Sequence, residues 1–387
     1  MGLADAGLAV VGPFMKRRAK TSRPDGRPAI LLLRLERVGD LLMTLDAIEA
    51  VRRLAPDAAI DLVVGEWNEA IARLIPGIDH VETLSPSWLS RGAGYQWFPA
   101  MARRAWGWRS RGYDLAINFE GDIRSNVLLG LSGAARRVGF EMAGGGPMLT
   151  DRVAFDPARH TRSNALRLVE RAFDLAAGSC ETHRPGPGSP RLRIPDEARA
   201  RAVSLLAGIA VGATVIVVHA GGGREIKQWN LDRFADLINR LAASHRAAVV
   251  LSGSADDRPL VDVVKAGLNT GVACEDLVGR VDLVTLAAVL ERAALLITGD
   301  TGPMHLAAAL DVPVVAIFGP SDPARWGPFS ERARVVRVSL PCSPCNRIRR
   351  PPERCRGHVP DCLAAVSVAA VYDAAAGVLD GMRAGVP

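Results

Sequence analysis

The chain has 387 residues, with 48 lysines and arginines against 41 acidic residues, a formal charge of +7, and 49% apolar residues. That length exceeds one compact core and suits two domains, each apolar enough to bury a sheet. No apolar run is long enough to cross a bilayer as a helix, and the basic excess comes with no recognition-helix, RNP or finger signature, so no nucleic-acid partner is expected.

Residues 1–28 are weakly apolar and then basic. Without the charge-first order and cleavage site of a secretory signal, they read as a flexible N-terminal extension of a cytoplasmic protein. Residues 29–182 repeat one theme of apolar strand, turn and helix. "AILLLRL" is a buried strand, "ERVGD" a tight turn, and "LLMTLDAIEAVRRLAP" an amphipathic helix ended by Pro56 before the strand "AIDLVVG". Asp40 closes that turn, where it serves either as a helix cap or as a general base, and Gly39 beside it permits a tight bend. Residues 86–111 interleave Trp88, Trp97, Trp106 and Trp108 with Arg91, Arg103, Arg104, Arg109 and Arg111. Such a stretch either docks an anionic lipid or phosphorylated glycan, through Arg103, Arg104, Trp106 and Trp108, or is a partly packed insertion with solvated arginines. "YDLAINFEGDIRSNVLLGLSG" then gives strand, loop and helix again.

A Pro-, Gly- and Ser-rich stretch opens a linker, taken as 183–204, and a second domain spans 205–362. Its strand Thr214–His219 runs into Gly221-Gly222-Gly223, then "REIKQW" with Lys227, then a helix from about Leu231. "AAVVLSGSADDRPLVDVVKAG" repeats strand, turn and helix, with Asp256 and Asp257 in the turn. The apolar strand Leu295–Thr298 breaks at Gly299-Asp300-Thr301-Gly302-Pro303, where a helix begins, and the strand Val312–Phe318 follows. Free backbone N–H groups and the helix dipole at such a turn favour a phosphate, and Asp300, Thr301 and His305 stand at its mouth. Residues 363–387 read as a C-terminal helix. The whole reads as an α/β protein of two Rossmann-like domains facing one another across a cleft, with ligands beyond the carboxyl ends of the strands.

Cys342, Cys345, Cys355 and Cys362 form C-x2-C-x9-C-x6-C. The first pair has zinc-knuckle spacing and the second is wider, so the four read either as a structural zinc site or as reduced thiols in a packed tail. Cys180 and Cys274 are isolated and read as core.

The ordered segments "RLERVGDLLMT", "GGGREIKQW", "GSADD", "GDTGPMHLAAAL" and "FGPSDP" resemble glycosyltransferase family nine, the heptosyltransferases of lipopolysaccharide core synthesis, over about residues 29–365. The resemblance implies a GT-B fold and an inverting, metal-independent transfer that needs no cofactor. It implies a nucleotide-sugar donor, usually ADP-heptose, and a lipid-linked glycan acceptor reached from the cytoplasmic face of the inner membrane. By the same resemblance Asp40 is the base and Lys227 steadies the departing diphosphate. Gly39, Gly222, Gly223, Asp300, Thr301, Gly302 and His305 are then donor-binding positions, and Asp257 stands in for a ribose-binding glutamate. Asp46 occupies a position where relatives commonly carry proline, close to Asp40 in sequence. Two other readings stand beside this one: a non-catalytic glycan- or lipid-binding protein of the same fold, and a sugar-nucleotide epimerase or hydrolase that consumes donor without acceptor. No G-x-G-x-x-G follows the first strand, which argues against a nicotinamide dehydrogenase.

Overall fold

The computed structural model describes residues 26–89, 97–142, 144–182 and 191–384. The chain divides into two compact units, the first ending at Arg193 and the second beginning at Ile194. In the first, strands β1 (Ala29–Arg34), β2 (Ala59–Gly65), β3 (His80–Leu84), β4 (Leu115–Asn118), β5 (Arg136–Phe140) and β6 (Asp151–Val153) pair in parallel in the order β3-β2-β1-β4-β5-β6. In the second, β7 (Thr214–His219), β8 (Ala247–Leu251), β9 (Cys274–Asp276), β10 (Leu295–Gly299), β11 (Val314–Ile317) and β12 (Ala333–Val336) form a parallel sheet in the order β12-β11-β10-β7-β8-β9.

Each sheet therefore reads as the doubly wound order, and two such units in one chain are the make-up of a GT-B protein. The direction of winding reverses beside the first strand of each sheet, between β1 and β4 and between β7 and β10. Loops leaving the carboxyl ends of those strand pairs diverge, and the crevice they leave is where such sheets bind ligands. The sequence makes these strands central because β1 and β10 are buried along their length and apolar except for Arg34 at the end of β1 and Thr298 in β10, as parallel strands covered on both faces must largely be.

Helix Leu231–His245 shows how the second unit is held. Phe234, Leu237, Ile238 and Leu241 recur at helical spacing and are buried against Ile216, Val218 and Val249 of the sheet. Burial of side chains of this size contributes roughly 1.5–3 kcal/mol each. Leu363, Val366, Val371, Ala375 and Leu379 close the same core from the C-terminal end of the chain.

Two segments differ from the sequence reading. Asp196–Leu205, within the expected linker, is a helix of the second unit. Pro195 precedes it, its Ala198 and Ala202 are buried, and Arg199 pairs with Glu291 at 2.9 Å. The C-terminal helix breaks near Ser367 into a short turn, Asp361–Ala364, and a long helix, Val368–Ala384. Residues 1–25 of the expected extension, Arg91, and residues 183–190 of the expected linker lie outside the described residues. Among those described, no helix is long and apolar enough to cross a membrane.

Candidate functional site

In the first unit the turn after β1 is built around a buried cation. Arg34 ends β1 with its side chain 4% exposed; its guanidinium donates to the Phe119 carbonyl at 2.5 Å and lies 3.0 Å from Glu36 and 3.6 Å from Asp40. The backbone N–H groups of Leu35 and Glu36 both donate to one oxygen of Glu120, from Glu36 at 2.8 Å. The Glu36 carbonyl accepts from Trp67 Nε1 at 2.8 Å and Asn68 Nδ2 at 2.7 Å. Backbone and side chains thus fix this turn from two directions.

Asp40 stands in the first turn of helix Val38–Leu42, next to Gly39, and its Oδ2 accepts the Arg37 backbone N–H at 3.2 Å. Capping engages one carboxylate oxygen, while Oδ1 faces Arg34 and the side chain stays 28% exposed. A cap and a base are therefore compatible roles for one residue. Glu120 is 2% exposed. Burial, and then the charge of Glu36, push its carboxyl up to about 8 against the pull of Arg34 and the two backbone N–H groups.

The sequence reading missed Arg34 and Glu120. The available signal was the same in both cases: a charged residue closing an apolar strand at the turn, as in "AILLLR" and "LAINFE". Asp46 has a structural role. It is 7% exposed and enclosed by Arg162 and Arg191, the latter at 3.1 Å, so the charge at this position anchors helix Leu45–Leu54.

In the second unit the expected donor residues gather beyond the carboxyl ends of β8, β7 and β10, which are neighbours in the sheet. The Lys227 ammonium donates to Asp300 at 3.0 Å, with side chains 20% and 13% exposed. Gly299 lets the two turns approach, since a Cβ there would lie 3.1 Å from the Lys227 carbonyl oxygen. Gly222 faces Thr301, and its carbonyl accepts from Gln228 at 3.1 Å; Gly223 is exposed at the loop tip.

Thr301 is the N-cap of helix Gly302–Ala309, and its hydroxyl sits 2.9 Å from that of Thr298. Gly302 opens the helix and His305 is buried at the end of its first turn. Asp257 accepts both the backbone N–H and the hydroxyl of Ser254, each at 2.8 Å. A Cβ on Gly221 would meet its other oxygen at 2.3 Å, so the first glycine of the triplet is needed for this approach whatever the ligand. His219, at the end of β7, is buried, and burial holds its pKa below the usual value against the pull of Asp257.

In the Trp/Arg segment Trp108 follows the packed one of the two expected readings. Trp108 is 3% exposed, packs in the first core and donates to Glu82 at 3.0 Å, so it is a core residue. Arg104 also pairs with Glu82, at 3.0 Å, and Arg111 with Asp61 at 3.0 Å and Glu82 at 3.1 Å. Of the four residues expected to meet an acceptor or membrane, Arg103 and Arg104 are exposed, and Trp106 is 55% exposed under the Arg109 guanidinium at 4.4 Å.

Cys342, Cys345, Cys355 and Cys362 line one pocket of about 400 Å³ together with Ile226 and Pro320. All are free thiols; burial, followed by the nearby Cys345, pushes the Cys362 thiol up to about 11. The fold gathers the four, yet among the described residues no three His, Cys, Asp or Glu side chains are disposed to hold a metal ion.

Residues 103–355 match the family model for glycosyltransferase family 9 (heptosyltransferase). The chain is 27% identical over 323 residues to lipopolysaccharide heptosyltransferase 1 of Pseudomonas aeruginosa, covering 82% of this chain and 85% of that one. Among solved structures it resembles the ADP-heptose LPS heptosyltransferase II of E. coli, with TM-score 0.75, 21% identity, and coverage of 92% of this chain and 99% of the other. It also resembles a family 9 glycosyl transferase from Veillonella parvula, with TM-score 0.78, 23% identity, and coverage of 92% and 98%.

Proposed function

The chain belongs to glycosyltransferase family 9, and on that premise we propose that it moves heptose from ADP-heptose to a lipid-linked glycan of the lipopolysaccharide core, with inversion at the anomeric carbon. The donor and acceptor are those carried in the names of its relatives, the E. coli ADP-heptose LPS heptosyltransferase II and the P. aeruginosa lipopolysaccharide heptosyltransferase 1. The observation that carries the reading is the Lys227–Asp300 pair beside the N-terminus of helix Gly302–Ala309, at the reversal point of the second sheet.

In the proposed reaction Asp40 takes the proton of the acceptor hydroxyl as its oxygen attacks the anomeric carbon. The bond to the diphosphate breaks on the opposite side, and the sugar inverts. Charge that develops on the leaving diphosphate is met by Lys227 and by backbone N–H groups at Thr301 and Gly302. Asp300 holds the lysine in place, and a fixed ammonium with a helix N-terminus supplies the positive charge without a metal. In this reading Asp257 accepts from the nucleotide ribose. The work is carried out by a peripheral protein at the cytoplasmic face of the inner membrane, where its acceptor is anchored.

Calorimetry with ADP-, UDP-, GDP- and dTDP-linked sugars, on the wild type and Lys227→Ala, tests the donor. Selective binding of ADP-heptose, weakened in the variant, is the expected result. Binding of a different nucleotide overturns the donor assignment, and consumption of ADP-heptose without any transfer product would favour a hydrolase or epimerase.

A further inference from the structure

The arginines around Trp108 are mostly satisfied within the protein, and those of residues 347–356 are not. That stretch carries Arg347, Arg349, Arg350, Arg354 and Arg356 against one acid, Glu353. Arg347, Arg349, Arg350 and Arg354 have no hydrogen bond or ion pair with any described residue, and Arg356 bonds a backbone carbonyl, that of Pro351, at 3.3 Å. Arg347, Arg349 and Arg350 line an open cavity of about 740 Å³ with Trp326, Asn346 and Ile348. Against five guanidinium groups the stretch itself supplies only Glu353, and Asp361 shares a pocket with Arg347 and Arg354, so most of the mutual repulsion is left uncompensated and an anionic partner would relieve it.

The base of the cluster is fixed. Asn346 donates its backbone N–H to Pro320 at 2.8 Å and accepts from Asp322 at 2.9 Å; Ser343 donates to Gly319 at 2.7 Å. These bonds tie the segment to the turn after β11. Arg347 also lines the neighbouring pocket together with Ile226, the residue before Lys227. The cluster is therefore tied to the same carboxyl end of the second sheet as the candidate donor site.

We propose that this cluster is the surface by which the protein docks on the phosphate headgroups of an anionic bilayer, a placement that rests on the acceptor being lipid-linked. The arginines spread around an open mouth and do not converge on a closed pocket, which suits a plane of many phosphates better than one bound ion. Forked guanidinium donors match phosphate oxygens. Trp326 and Ile348 in the same rim offer the apolar contact that steadies a basic surface at the headgroup level. The proposal thus places membrane docking in the second unit, and Trp108, buried in the first core, takes no part in it.

The test is co-sedimentation of the full chain with vesicles of phosphatidylglycerol and phosphatidylcholine, or of phosphatidylcholine alone, for the wild type and the Arg347→Gln/Arg349→Gln/Arg350→Gln variant. A basic residue near an anionic surface contributes about a fivefold factor in partition, so the triple variant is expected to lose about a hundredfold. Wild type should bind anionic vesicles, release them in high salt and ignore neutral ones. ADP-heptose binding and the melting temperature should be unchanged in the variant, so failure at the donor site and failure at the membrane are read separately. Equal partition of the variant and the wild type overturns the proposal, as does equal binding to neutral vesicles. Displacement by inorganic phosphate at an ionic strength where sodium chloride does not displace would assign the cluster to free phosphate and overturn it too.

Discussion

Lys227 reaches Asp300 across 3.0 Å and so ties the turn after β7 to the turn after β10, at the point where the second sheet reverses its winding. Asp300 is mostly buried, so its charge has little water to fall back on if the lysine is removed. Lys227→Ala is expected to weaken ADP-heptose binding at least tenfold and to lower kcat by about a hundredfold, the size of a lost transition-state donor. Lys227→Arg retains the charge and should recover part of the binding. Calorimetry with steady-state kinetics measures both, and unchanged kinetics would place the diphosphate elsewhere.

Asp40 separates two roles that look alike in sequence. Asp40→Asn keeps an oxygen able to accept the Arg37 N–H, so the turn should hold and the melting temperature should change little. The amide cannot take a proton from an acceptor hydroxyl, so transfer is expected to fall by about 10²–10⁴-fold while ADP-heptose affinity stays within about twofold. A variant with full transfer activity would leave Asp40 with the cap alone.

These two sites differ in how far they could be read from sequence. Asp300 and Thr301 were legible because they directly follow the apolar strand β10, a local pattern, whereas Lys227 stands eight residues beyond the end of β7 and was singled out through the family resemblance. The Arg34–Glu120 neighbourhood was not legible, because its contacts join the β1 turn to residues 84–85 positions away, across the β1–β4 reversal. The role of Asp46 was hidden for the same reason: its partner Arg162 is 116 residues distant. Trp108 was left between docking and packing although its position was legible. Met101, Ala105 and Trp108 fall at spacings of four and three, one stripe of a helix, and all three are buried. Trp106 is two residues from Trp108 and so points to the other side, where it is exposed.

That stripe makes a stability prediction with an internal control. Trp108→Ala removes a buried indole and leaves a cavity, and should destabilise the chain by about 3–5 kcal/mol. Trp106→Ala removes an exposed ring and should change stability by no more than about 0.5 kcal/mol. Urea denaturation of the two variants checks this, and equal effects would refute the assignment of Trp108 to the core.

Glu120 makes stability depend on pH in a defined direction. Its ordinary value is 4.5, and burial followed by the charge of Glu36 pushes it up to about 8 in the folded chain. Between those values the folded chain holds a proton that the unfolded chain has released. The stabilisation tied to that proton is complete below the ordinary value and is lost as pH rises through the folded one. Glu120→Gln is fixed neutral and keeps a carbonyl oxygen for the N–H groups of Leu35 and Glu36. Its melting temperature should therefore rise relative to wild type as pH increases toward about 8, then hold a constant offset above it. Thermal melts of both proteins across that range decide the matter: parallel curves would return the Glu120 carboxyl to its ordinary value and leave Arg34 balanced by Glu36 and Asp40 with Glu120 ionised throughout.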